Sequence, residues 1–157
     1  MITDAFLQFS GASNPLVGQS LALAAGTYNS TNVVDLQSLG QRLSDYGMGE
    51  SLEIAIQVTQ AFAGGTSLQV ALVTADDSAL SVNMTPIVLS PVMLTAALTL
   101  GQQLVLHLDR SALGSLHRYI GLQYVIVGTM TAGAVTASVG KSVQDRNTIY
   151  NNGFVVA

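Results

Sequence analysis

RYIGLQYVIVGTMTAGAVTASVG, running from Arg118 to Gly140, is the stretch on which the fold turns. Arg118 is its only charged residue, and Val, Ile, Tyr and Gly dominate the rest. In its first half Ile120, Leu122, Tyr124 and Ile126 fall on alternate positions. In its second half Val135, Ala137 and Val139 do the same. Strict alternation puts such residues on one face of an extended strand. Gly128 and Gly133 lie around the reversal between the halves. The stretch therefore predicts two antiparallel strands joined by a turn, with the apolar face against a partner sheet. A spanning helix needs ~20 mostly apolar residues, and Gly and Thr interrupt this run too often. A membrane barrel carries aromatic girdles at both interfaces, whereas this chain has no Trp and 6% aromatic residues.

The same period recurs along the chain. Leu52, Ile54, Ile56 and Val58 alternate with Glu53, Ala55 and Gln57. Leu68, Val70 and Leu72 share a face, as do Leu104, Leu106 and Leu108 opposite Val105, His107 and Asp109. Strands are predicted near 2–9, 32–36, 52–60, 67–74, 85–89, 102–109, 118–127 and 133–140, with 153–157 either a last strand or an arm. Gly64-Gly65 reads as a hairpin signal. Ser90-Pro91 could open a helical turn over 90–94, and 10–20 and 26–32 read as surface connections. The expectation is one all-β domain over 1–157, an antiparallel β-sandwich or jelly roll. Its predicted core is Ile54, Ile56, Leu68, Val70, Leu72, Leu104, Leu106, Ile120, Leu122 and Ile126.

Composition narrows the function. Charged residues make up 9% of the 157 and hydrophobic ones 49%, against ~25% charged in ordinary soluble domains. Small polar residues are expected to cover much of so charge-poor a surface, and a partner is the candidate cover for the rest. The net charge is -4, and the basic residues Arg42, Arg110, Arg118, Lys141 and Arg146 are scattered. Nothing here tracks a phosphate backbone, which needs clustered cations, and an acidic chain is not drawn to anionic lipid. Neither nucleic acid nor membrane is expected as a partner. There is no cysteine, which excludes a disulfide scaffold, a thiolate zinc site and a Cys nucleophile. The opening MITDAFLQFSG lacks a basic start and does not read as a secretory signal.

The residues that could carry chemistry do not assemble into a motif. His107, Asp109 and His117 could in principle hold a metal, but two surface histidines on a polar face is the expected reading. Asp76-Asp77 lacks the spacing of a calcium loop and is read as a turn. Glu50 and Glu53 have no second carboxylate cluster for acid–base work. GKS at 140–142 follows a β run and has Val135 where a phosphate loop needs Gly. No Ser lies in G-x-S-x-G. Neither an enzyme nor a bound cofactor is expected.

Several blocks together resemble a known family: MITDAFLQFS at the N-terminus, STNVVDL at 30–36, GMGESLEIAIQV at 47–58, AFAGGTSLQVALVTADD at 61–77 and RYIGLQYVIVGTMTAGAVTASV at 118–139. They resemble the small jelly-roll capsid cement (decoration) proteins of tailed bacteriophages, of the Bordetella podovirus type. The segment 78–101 and the tail after 140 depart from that pattern. The resemblance implies a structural virion protein, made in the host cytoplasm, that binds the outer capsid surface. It would bridge neighbouring capsomers and stabilise the shell. The implied partners are the major capsid protein and a second copy, as a homodimer.

Apolar chain ends are natural contact arms. Met1, Ile2, Phe6 and Phe9 at one end, and Ile149, Tyr150, Phe154 and Val155 at the other, are the candidates for capsid or subunit contact. The alternative reading is that each segment completes a sheet edge. A competing reading is a carbohydrate- or receptor-binding jelly-roll module of a phage fibre or spike. Sugar stacking calls for exposed aromatics, and Tyr119 and Tyr124 sit inside strand runs instead. A cupin-type enzyme needs clustered histidines, and the chain has two His.

Overall fold

A computed structural model describes residues 7–11, 17–36, 52–108 and 116–140. They form eleven strands: β1 (Gln8–Ser10), β2 (Gln19–Ser20), β3 (Gly26–Asn29), β4 (Val34–Asp35), β5 (Leu52–Gly64), β6 (Ser67–Ala75), β7 (Thr85–Leu89), β8 (Met93–Leu94), β9 (Gln103–Leu108), β10 (Tyr119–Val127) and β11 (Met130–Gly140). Where a helical turn was expected at 90–94, the chain instead forms β8 followed by a short 3-10 turn, Thr95–Ala97. Pro91 precedes β8, and β8 is drawn into the sheet by pairing with Ser67 and Leu68. The stretch 26–32, expected to be a connection, contains β3, which pairs with residues 123–126 of β10.

All pairings are antiparallel, and they make two sheets. The first has the order β1-β11-β5-β9, with β2 also on β11; the second has β3-β10-β6-β7, with β4 also on β10 and β8 on β6. If the short strands that share a row are counted together, there are eight rows, divided equally between the sheets. Their orders are 1-8-3-6 and 2-7-4-5, the jelly-roll arrangement. β6 and β7 are the one consecutive pair of rows that lie side by side in one sheet.

Two turn readings are corrected by this topology. Gly64-Gly65 does not close a hairpin, because β5 and β6 lie in opposite sheets. The Arg118–Gly140 stretch likewise holds two strands that do not pair: β10 pairs with β6, and β11 with β5. Both reversals are corners that carry the chain from one sheet to the other. They stack on each other, with the Thr66 amide donating to the Val127 carbonyl at 2.7 Å and Gly64 opposite Met130. A corner and a hairpin demand the same left-handed glycines, so local sequence cannot separate them.

The alternating stripes meet between the sheets. Ile54, Ile56, Leu68, Val70, Leu72, Leu106, Ile120, Leu122 and Ile126 are all buried there, as are Tyr124, Val135 and Ala137. Leu104 is only partly buried: it stands at the start of β9, the marginal strand of its sheet, whereas Leu106 and Leu108 further along that strand are covered. The Tyr124 hydroxyl and the Ser10 Oγ meet at 2.6 Å in the core, a polar link between β10 of one sheet and β1 of the other. Burial raises the Tyr124 pKa far above its ordinary value, so the phenol stays neutral and holds the link. β6 is buried on both faces: on the outer one Ala71, Val73 and Ala75 pack with Leu80, Val33 and Tyr119.

Candidate interaction surface

The polar residues that could carry chemistry fall into two separate pairs, one beside each sheet. His107, on β9, stands 3.4 Å from Glu53 on β5 and is well exposed. His117 approaches Asp76 at 2.6 Å at the end of β6, in the other sheet. Asp109 and Glu50 lie outside the described residues. Among the described residues no group of three His, Asp or Glu side chains could hold a metal ion. Arg118 grips Asp35 with two donors, Nε at 3.0 Å and Nη2 at 2.9 Å, which ties β4 to the start of β10. No helix among the described residues is long and apolar enough to cross a membrane.

Asp76 and Asp77 act as turn residues, as expected. They fold the 76–84 connection between β6 and β7 back over the outer face of the second sheet. The Asp77 carboxylate accepts from the Ser81 and Val82 amides, both at 2.8 Å, and from the Ser81 hydroxyl at 2.7 Å. Leu80, held at φ 55°, is buried over Gly121, where an added Cβ would stand 2.5 Å from Leu80 Cδ1. Asn29 donates to the Ala79 carbonyl at 3.0 Å, so the connection reaches across β10 to β3.

These bonds make the loop pH-sensitive in a defined direction. Donation from Val82, then from Ser81, holds the Asp77 pKa down at about 2, below its ordinary 3.8. The Asn83 side chain, then His117, lowers Asp76. A carboxylate with a depressed pKa contributes stability that is complete above its unfolded value and is lost as pH falls through its folded value. The loop should therefore hold at pH 4 and loosen towards pH 2. Amide resonances of Ser81 and Val82 should titrate with a midpoint near 2; a midpoint near 3.8 would contradict the bonding described.

Of the predicted contact residues, Phe9 is not on the surface. It is fully buried, and its strand β1 pairs with β11 at the margin of the first sheet. The core takes up this side chain, so the sheet-edge alternative holds for residues 8–10. Met1, Ile2, Phe6, Ile149, Tyr150, Phe154 and Val155 lie outside the described residues.

The exposed apolar side chains gather elsewhere. The outer face of the first sheet is polar: Glu53 lies opposite His107, and Gln57 stands between Gln103 and Thr136. By contrast, Val82, Met84, Leu89, Val92, Leu94, Leu100 and Val127 are exposed, with Val17 the one other large apolar residue so placed among those described. In the second sheet Val88 opposes Leu72 and Met93 opposes Leu68, which points both inward against the core. Leu89 and Leu94, the next residue in each strand, therefore point outward. Leu94 and Val127 flank Ser67 from either side. From β8 the chain crosses to the first sheet along β5: Phe62 donates to Leu98 and Gly101 to Val58, which leaves Leu100 outside. One signal was legible in the sequence. From Ser78 to Leu108 there is no Asp, Glu, Lys or Arg, and this run supplies β7, β8 and β9.

A search of curated proteins finds no match. The profile of one protein family, Bbp16, matches residues 17–139, from just before β2 almost to the end of β11. The match spans both sheets and most of the 157 residues, and the family's name suggests a Bordetella phage protein. The chain belongs to the Bbp16 family.

Proposed function

We propose that this chain is a structural, non-enzymatic virion protein. It binds the outer surface of the phage capsid, contacts the major capsid protein and bridges neighbouring capsomers, so that the shell resists internal pressure. The docking unit is a homodimer. Family membership over residues 17–139 carries this reading. The charge-poor jelly roll with an apolar edge supports it, since such a domain is suited to contact with another protein. The alternative, a sugar-binding fibre or spike module, calls for exposed rings. Among the described residues Phe9, Phe62 and Tyr124 are buried, and Tyr28 and Tyr119 are half-buried.

The test is cosedimentation of purified protein with expanded, undecorated capsids at low and at molar salt. The protein should pellet with the shells at both. Exposed ion pairs contribute only ~0–1 kcal/mol each, and a chain with 9% charged residues forms few of them. Absence of pelleting at low salt would remove the proposal. Release by moderate salt would show that charged residues carry the contact.

A further inference from the structure

We propose that the uncharged edge of the sandwich, centred on Leu89, Val92, Leu94 and Leu100, is the face through which two copies of this chain pair. The inference rests on the homodimer of the preceding reading and says where its contact lies.

Four observations carry it. The first is exposure: Leu89, Val92, Leu94 and Leu100 are 59%, 61%, 62% and 66% exposed within a segment of the chain that also spans β8. Large aliphatic side chains grouped in this way mark a contact surface. The second is charge. Two copies of a chain carrying -4 repel each other over most of their surfaces. The segment from Ser78 to Leu108 carries no Asp, Glu, Lys or Arg, so two such edges meet without like-charge contact. A two-fold axis sets each patch against its own copy, and an uncharged apolar patch complements itself.

The third is the edge itself. Natural sheets guard their margins with charged residues, above all Lys. β9 ends its sheet among the described residues, and its sequence QLVLHL has none. Pro86, within β7, and Pro91, just before β8, lack backbone donors. The contact is therefore made chiefly by side chains, not by extending the second sheet. The fourth is area. A standard interface takes about 800 Å² from each partner, under a tenth of the 9370 Å² exposed by the chain. The uncharged run from Ser78 to Leu108 comprises 31 residues, against the ~20–30 that each side of such an interface contributes.

The test is sedimentation equilibrium of the full chain up to about 100 µM, where a contact of micromolar affinity is saturated. The wild-type protein should be a dimer. The double variant Leu94→Asp, Leu100→Asp places four carboxylates in the two-fold contact and should weaken it by ~100-fold or more. Val17→Asp, at an exposed site beside β2, should leave the dimer intact. Circular dichroism checks that each variant is folded. If the double variant does not fold, amide exchange of the wild-type protein at low and high concentration replaces it, with slowing confined to 85–108 expected. A monomeric wild type overturns both the face and the homodimer. A folded double variant that remains dimeric, or slowing of exchange elsewhere, overturns the face alone. The capsid cosedimentation above is read independently of either result.

Discussion

Replacing Leu122 with alanine should lower the free energy of unfolding by about 3–5 kcal/mol, as for a fully buried leucine whose site cannot collapse. Leu122 is wholly inaccessible and lies in the middle of β10, opposite Leu72 of β6. Its amide donates to the Ser30 hydroxyl oxygen at 3.0 Å, and its carbonyl accepts from the Ser30 amide at 2.7 Å. The backbone around the lost side chain is thus pinned and cannot close the cavity. Denaturant titration with an unchanged slope would give the loss directly. A loss below about 0.5 kcal/mol is typical of surface sites. It would mean that β10 is assigned to the wrong face by one residue, because a single slip turns every side chain over.

Gly64→Ala should also be severe, for a different reason. Gly64 has φ 70° at the corner between β5 and β6, a conformation that costs an L residue roughly 1–2 kcal/mol. A Cβ there would stand 2.8 Å from the Thr129 carbonyl oxygen and 3.0 Å from the Thr131 nitrogen. Both are backbone atoms, one in the second corner and one at the start of β11, so neither can swing aside as a side chain would. Relief requires the two stacked corners to part. The combined loss is expected to be about 2–4 kcal/mol, or a fall in melting temperature of roughly 5–15 °C for a domain of this size. A fall under about 2 °C would show that the corners are not locked together in this way.

The sequence made the long strands legible because each must put a stripe of large apolar residues on one face. β5, β6, β9, β10 and β11 all satisfy that rule. Which strands pair was not legible. The glycines at 64–65 and 128 permit a left-handed turn whether the next strand lies beside the last or across the core. β2 and β3 leave no signal in the sequence because each is too short to show a period; they exist by pairing with β11 and β10. The burial of Phe9 is hidden from the sequence for a related reason. An apolar residue near a chain end looks free to bind a partner, and only the tertiary structure shows that the core takes it up. The uncharged run from Ser78 to Leu108 was in plain view. A charge fraction taken over the whole chain hides where the charge is missing, and the edge it forms becomes visible only when β7, β8 and β9 are placed together.

The most direct test of the shell-binding account is a reconstruction of phage particles carrying this protein, at a resolution that traces strands. The account predicts jelly-roll density on the outer surface of the capsid, straddling the boundaries between capsomers, with strand orders 1-8-3-6 and 2-7-4-5 in its two sheets. Density for this chain at a fibre or spike, or on the inner face of the shell, would contradict it.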